Sequence, residues 1–558
     1  MPAKYSKQII DNDLPRLQMS PRRRWAVTIG VMTGMAIAAL EATVVGTAMP
    51  TVIAALGGIS YYSWVFSAYL VTSTVTVPVW GKLSDLYGRR LLYQVGIGIF
   101  LLGTLLSGFA GSMTQLIIFR SIQGLGAGAL VPLGMTIIGD IFTLRERAKM
   151  QAYFSGVWGL SSIVGPVVGG FVTDQISWRW VFFINVPVGI LAALIIGLSL
   201  KEPKLEERPS IDYFGAATLM GAISLLMLSL VEGGSTLETI LAPLNLLTIA
   251  GGISLLALFV FFEMRATDPI IPFRLFRNRT ISVSITAGFL AGIAMFGGIS
   301  FIPLFAQGAL GMTATKAGSL LTPLMLSWVL MSIIGGRILL RVGYRVMVIA
   351  GFLTMTAGFV LISTFHRETA TFWLYIYLMM IGSGLGLTML TLLIAVQQAV
   401  VRTQLGVATS LNQFTRAIGG AIGVAVMGAV LTAGLASQLR AAASGAEHLL
   451  TAEQAERFAS NPSALIDPAA RASVPDDILI VLQDSMAAAM QPVFIVGAGV
   501  CVVGLFVVFF LPGHRPEDAE SESDENCGET LLMAEQTTIN SRNQVSVKPV
   551  RSSGGEQP

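Results

Sequence analysis

The sequence predicts an all-α, polytopic membrane protein, and three observations carry the prediction. Only 12% of its residues are charged and 54% are hydrophobic, where a soluble domain carries about 25% charged residues. Apolar segments long enough to cross a bilayer, which takes roughly 20 residues as a helix, recur along the whole chain. Lys and Arg fall mainly on alternate loops between them. Helices satisfy their own backbone hydrogen bonds in lipid, so each segment is read as a helix.

The first six spans lie at 25–49, 62–82, 91–110, 114–138, 151–174 and 178–199, and two more at 213–231 and 245–263. Six others follow at 283–306, 317–340, 344–364, 371–399, 406–436 and 490–511. Arg22 to Arg24 before an apolar run look like a signal peptide, but the run is too long and more spans follow, so it is read as a retained first helix. The predicted organisation is a cytoplasmic N-terminal segment (1–24), a six-helix bundle (25–199), two linking helices (200–282) and a second six-helix bundle (283–511). Within the last lies a long Ala-rich, net acidic loop, 437–489, expected to form short helices or a mobile cap. The tail, 512–558, has few apolar residues and is expected to be disordered. Cys501 falls in the last span and Cys527 in the tail, which excludes a disulfide framework.

Basic residues set the orientation. With the N-terminus inside, the inside loops together with Arg22 to Arg24 hold 20 Lys and Arg, and the outside loops hold 6. Both termini are therefore expected in the cytoplasm.

Three charges stand inside predicted spans: Glu41, Arg120 and Arg416. A charge at membrane depth costs at least a few kcal/mol, so each needs a partner, a cavity or a function. Glu41 lies about sixteen residues past Trp25, or roughly 24 Å, in the outer half of the membrane. Arg120 enters from the outer side and reaches a similar depth.

An internal repeat links the two six-helix sets. The loop after the second span begins at Gly81-Lys82 and ends Gly88-Arg89-Arg90, and the loop after the tenth begins at Gly336-Arg337 and ends Gly343-Tyr344-Arg345. Glycine recurs at the first and eighth positions, and a basic residue at the second and tenth. Asp85 has no counterpart, because Leu340 stands there. Parallel six-helix repeats are the plan of one large class of alternating-access transporters.

The first copy resembles the loop signature of the major facilitator superfamily. Arg120 through Gly126 is similar to the fourth-helix motif of that superfamily's drug:proton antiporters. Gly159, then Gly165-Pro166-Val167-Val168-Gly169-Gly170, is similar to their fifth-helix antiporter motif. Leu40 through Val45 with Ala48-Met49-Pro50, and Trp178-Arg179-Trp180 with Asn185, resemble the fourteen-helix branch, the EmrB/QacA type. The resemblance covers about residues 20 to 511. It implies a major facilitator fold of fourteen transmembrane helices, arranged as six, two and six. It also implies proton-coupled export of hydrophobic, often cationic, small molecules from a bacterial cytoplasmic membrane; a dedicated exporter of one metabolite or lipid stays open.

On that basis Glu41 is expected to bind the coupling proton and Arg120 to tune it, or the two to serve only as an ion pair between helices. The family's usual residue at Glu41 is Asp. Gly81, Asp85, Gly88, Arg89 and Arg90 are expected to latch the halves while the cavity faces outward. Gly159, Gly165, Pro166, Gly169 and Gly170 give a bare helix face for packing or pivoting. Arg416, Asn412, Gln123 and Trp158 are candidates for the substrate cavity. Met32, Met35, Phe66, Tyr69, Met389 and Phe414 are further candidates for an apolar pocket.

No Gly-x4-Gly-Lys-[Ser/Thr] pattern occurs, so ATP is not expected to drive it. The three His form no metal pattern, and no Ser-His-Asp arrangement stands out. The expectation is a non-enzymatic transporter without cofactor or nucleic-acid partner, working as a monomer in the bilayer. A periplasmic adaptor or lipoprotein partner is left open.

Overall fold

The computed structural model describes residues 19–56, 62–202, 212–232, 241–266, 269–312, 314–365, 369, 371–401, 404–444, 451, 458 and 474–512. About half of the predicted loop 437–489 and nearly all of the predicted tail lie outside the described residues.

Every regular element among the described residues is helical. The first half supplies α1 (Pro21–Leu56), α2 (Tyr62–Tyr87), α3 (Arg89–Gly108), α4 (Met113–Ile141), α5 (Leu144–Gln175) and α6 (Trp180–Ser199). The linking pair is α7 (Tyr213–Glu232) and α8 (Pro243–Glu263). The second half supplies α9 (Arg279–Gly308), α10 (Leu321–Val342), α11 (Tyr344–Ser363), α12 (Thr371–Gln398), α13 (Leu405–Ser444) and α14 (Asp476–Val508). Among the described residues, 10 of these helices are long and apolar enough to cross a membrane: α3, α4, α6 and α8 to α14. The chain is thus a multi-pass membrane protein. The apolar part of α7 is shorter, Phe214–Ser229, and Ser, Thr and Gly dilute α2 and α5.

Two boundaries differ from the sequence expectation for local reasons. Helix α5 starts at Leu144 rather than 151, because the Glu146 carboxylate accepts the Thr143 backbone N–H (3.0 Å) and hydroxyl (3.1 Å), closing the first turn. Helix α14 starts at Asp476 rather than 490, with Asp476 and Asp477 in its first turn, where the helix dipole favours anions. Helix α13 also runs on to Ser444. The predicted long loop is therefore helical at both ends.

The two halves make the same helix pairings. In the first, α1 packs on α4, α5 and α6, α4 on α2 and α3, and α3 on α6. In the second, α9 packs on α12, α13 and α14, α12 on α10 and α11, and α11 on α14. Across the halves the pairing is reciprocal, α2 on α13 and α5 on α10. The linking helices pack on each other, and α7 lies against the α2–α13 seam. One apolar cluster joins Val75 of α2, Leu219 and Ile223 of α7, and Ile285, Val407 and Leu411 of the second half. Leu393 of α12 is buried in the core of the first half.

The repeat is also written in the backbone. Gly88 caps α3 at φ 93°, ψ 151°, and Gly343 caps α11 at φ 87°, ψ 163°. Only glycine adopts that region without strain, which accounts for its recurrence at the eighth repeat position.

Candidate functional site

A sealed charge node lies inside the first half. Arg120 of α4 pairs through Nη1 with Glu41 Oε1 of α1. The same nitrogen donates to Gln123 Oε1 at 2.7 Å, and Arg120 Nε to the Val65 carbonyl of α2 at 3.4 Å. Asn185 of α6 donates to Glu41 Oε2 at 2.7 Å, and Gln123 Nε2 to Thr104 Oγ1 of α3 at 2.8 Å. The guanidinium lies over the Tyr69 ring, 4.3 Å from its centroid. Glu41 is 1% and Arg120 2% exposed. Five helices meet here through one ion pair. Removing either partner leaves an uncompensated buried charge, at about 3–5 kcal/mol.

This placement differs from the sequence expectation in two ways. Glu41, expected to exchange a proton, is enclosed in this conformation. Gln123, expected at the substrate cavity, is fully buried as a bridge between Arg120 and Thr104. Both departures have one cause: a buried guanidinium needs several acceptors, and the node supplies them from within one bundle.

A second charge cluster joins the halves at the Arg-rich end. Asp85 of α2 accepts the backbone N–H groups of Gly406 (3.1 Å) and Val407 (2.9 Å). These belong to the first turn of α13, whose amides lack partners within the helix. Arg89 donates to Asp85 Oδ1 at 2.5 Å, to Asp140 Oδ2 of α4 at 2.9 Å and to the Ser84 carbonyl at 2.8 Å. The Glu202 carboxylate accepts the backbone N–H groups of Arg89 (2.9 Å) and Arg90 (3.0 Å), holding the start of α3. Gly81 sits against α13 so closely that a Cβ there would stand 2.3 Å from Ser410 Oγ. Asp85 lies past its predicted span. Burial pushes its carboxyl up to about 6, against the downward pull of Arg89 and the Val407 and Gly406 amides. All five predicted latch residues thus fall in one cluster, though Arg90 enters through its backbone and its side chain is exposed.

Gly159, Gly165 and Gly169 of α5 are buried and Gly170 is half-buried. A Cβ on Gly159 would lie 3.5 Å from Val329 of α10, so that glycine faces the other half. A Cβ on Gly170 would meet nothing within 4 Å. Pro166 is within the helix, its side chain outside what is described.

The remaining cavity candidates separate. Trp158 is 36% exposed on α5. Arg416 is half-buried on α13, where Nη1 meets Met389 Sδ of α12 at 3.6 Å. Asn412, one turn before it, is buried. Met35 and Phe414 belong to apolar cores.

Sequence reasoning gave no role to Thr104, Asn185, Asp140 or Glu202. Asp140 had one signal, an acid at the end of an apolar run. Glu202 had none, since its partners lie more than a hundred residues away in the chain.

Two six-helix sets with the same internal pairings, joined by reciprocal contacts and by a charge cluster at one end, define a membrane protein built from two repeated halves. The chain belongs to the Major Facilitator Superfamily, whose profile matches residues 31–424; it is a transporter and not an enzyme. It is similar to the multidrug transporter protein MdtP of Bacillus subtilis (strain 168), 36% identical over 522 residues, which cover 90% of this chain and 96% of the relative. It is similar also to multidrug resistance protein 3 of the same organism, 36% identical over 489 residues, covering 88% and 95%. Among solved structures, the human organic anion transporter MFSD10 (TETRAN) matches with a TM-score of 0.55 at 16% identity, over 88% of this chain and 100% of that one. That likeness concerns the fold alone.

Proposed function

We propose that the chain is a proton-driven exporter of hydrophobic and cationic small molecules, of the fourteen-helix drug:proton antiporter type. The division into bundles 25–199 and 283–511 with two linking helices belongs to this reading, as do cytoplasmic termini in a bacterial cell membrane. Relatives named as a multidrug transporter and a multidrug resistance protein support drug efflux. The observation that carries the coupling is the Glu41–Arg120 pair, a carboxylate with a single guanidinium at membrane depth.

A proton arriving on Glu41 cancels its charge and removes the attraction that holds Arg120. Loading the proton and loosening α1 from α4 are then one event. Desolvation disfavours the ionised carboxylate and the guanidinium favours it, so the site is poised between two opposed terms. Arg120 keeps its Gln123 and Val65 acceptors when the proton arrives, which limits the cost of release. The latch closes the Arg-rich end, so this conformation is read as outward-facing, with Glu41 ionised and paired. No cofactor takes part.

Dye uptake into everted vesicles energised by respiration, which corresponds to export from the cell, tests the reading. Wild type should export several unrelated dyes and stop on addition of an uncoupler. Glu41→Gln, present in the membrane at normal amounts, should lose uncoupler-sensitive export. Retained proton-driven export in that variant would remove Glu41 as the carrier.

A further inference from the structure

Arg416 is a half-buried cation with no acidic partner among the described residues. Thr409, Gln413 and Arg416 stand at i, i+4 and i+7 on α13, which places them on one helix face. Thr409 accepts from Gln397 Nε2 of α12 at 3.2 Å, and Gln413 Nε2 reaches Met135 Sδ of α4, in the other half, at 3.1 Å. That face therefore looks into the seam between the halves and away from lipid. Arg416 is the next turn along it, beyond the point where the halves touch. Its one hydrogen-bond contact among the described residues is the weak acceptor Met389 Sδ at 3.6 Å.

A second donor waits beside it. Asn412 precedes Arg416 by one turn, is 5% exposed, and its Nδ2 has no partner among the described residues. That nitrogen lies against the backbone of Gly288 on α9, where an added Cβ would stand 3.4 Å from it, at van der Waals contact. An unpaired buried donor costs about 1–3 kcal/mol and an unpaired cation more. Five guanidinium donors thus face a seam lined by Met389 and Met135, with an unpartnered amide one turn away and no acceptor of matching strength among the described residues.

We propose that Arg416 and Asn412 form a substrate anchor for a carboxylate, or a comparable anionic acceptor, carried on an apolar aromatic body. The guanidinium takes the two oxygens side by side, as Arg–carboxylate pairs do, and the Asn412 amide adds a third donor. The methionines adapt to the apolar remainder. Zwitterionic compounds fall within this class, their cationic end directed away from Arg416. The anchor rests on the export reading above and names a cargo class that reading does not contain.

The test uses the full-length protein and a matched dye pair, tetramethylrhodamine with its free carboxylate and tetramethylrhodamine methyl ester. Binding is followed by fluorescence anisotropy on purified protein, and export in energised vesicles. Wild type is expected to bind both dyes. Arg416→Gln should weaken binding of the carboxylate dye by about tenfold or more, the scale of one lost charge-assisted hydrogen bond, and leave the ester nearly unchanged. Arg416→Lys should recover part of that loss, and Asn412→Ala should show a smaller loss with the same selectivity. Equal weakening of both dyes in Arg416→Gln and Asn412→Ala would overturn the anchor, as would unchanged binding of the carboxylate dye. Should Arg416→Gln not reach the membrane, Arg416→Lys and Asn412→Ala carry the same comparison. The binding arm judges the anchor even if wild type exports neither dye, an outcome that would count against the export reading alone.

Discussion

At the scale of single residues, two kinds of site make different demands. Gly88 and Gly343 are fixed by backbone geometry, both at positive φ with extended ψ. Alanine in that region is strained by about 1–3 kcal/mol. Gly88→Ala and Gly343→Ala should each lower the thermal unfolding midpoint in detergent, and equal midpoints to wild type would show that the turns relax. Gly88→Ala should do more harm, because the new Cβ would also stand 2.7 Å from Glu202 Oε2. Glu41 is fixed by charge. Glu41→Gln leaves Arg120 buried with neutral acceptors, so a stability loss of about 3–5 kcal/mol should accompany the loss of coupling. Glu41→Asp keeps the charge and should retain more of both. Thermal stability and uncoupler-sensitive export, measured on both variants, separate an ion pair that only holds helices from one that carries protons. The charges themselves were legible in the sequence because a Glu or Arg inside an apolar span has few explanations. Their enclosure was not, because nothing local in the chain says which helices close around them.

At the scale of elements, the junction of α2, α3, α4 and α13 acts as a unit. Asp85 holds two amides of α13 and Arg89 of its own half, and Arg89 holds Asp140. In this latched state burial raises the Asp85 carboxyl to about 6 from 3.8, outweighing Arg89 and the amides. The sign follows from linkage. An acid whose pKa is raised in the latched state holds a proton there that it would release in water. Acidification through about pH 6 toward pH 4 therefore favours the latched state, the reverse of what a simple salt bridge would do. Spin labels on α2 and α13 near the latch should show the short-distance population growing as pH falls from about 7 to 5. In Asp85→Asn that pH response should vanish; a response of equal size there would place the titrating group elsewhere. The sequence showed this latch in part. Gly81, Asp85, Gly88, Arg89 and Arg90 are contiguous enough to be seen as a motif. Asp140, Glu202, Gly406 and Val407 were not seen, because they join only through folding. Helix existence was legible from apolar length for α3, α4, α6 and α8 to α14, whereas the starts of α5 and α14 were missed, because both helices begin at polar residues outside the apolar runs, α5 with the Glu146 capping contact and α14 with Asp476 and Asp477.

At the scale of the whole molecule, the reciprocal pairing of α2 with α13 and α5 with α10 gives two seams related by the internal repeat. The seams are not chemically equal, since Leu340 stands where the first repeat has Asp85. The α2–α13 seam is held by charge and backbone amides, while at Gly159 and Val329 the α5–α10 seam meets through apolar groups. An electrostatic hold can be switched by charge or hydration, and an apolar contact can slide or pivot without leaving a buried charge unpaired. Under the proposed alternating-access export, the α2–α13 seam must part at its Arg-rich end in every cycle. A covalent bridge there should stop transport without disturbing the fold. Ser84 and Gly406 suit it, because the Ser84 Oγ stands 2.7 Å from where a Gly406 Cβ would be, within reach of disulfide geometry. The native Cys501 is fully buried, and Cys527 is replaced by Ser in every variant so that it does not compete. Ser84→Cys/Gly406→Cys, oxidised in vesicles, should lose export and regain on reduction the level of the Gly406→Cys single variant, which is the reference because its Cβ would itself stand 2.7 Å from Asp85 Oδ1 and 2.8 Å from the Gly81 carbonyl; oxidation should leave each single variant unchanged. Export that survives complete cross-linking would mean that this seam stays shut throughout the cycle, and the halves would have to move about some other axis.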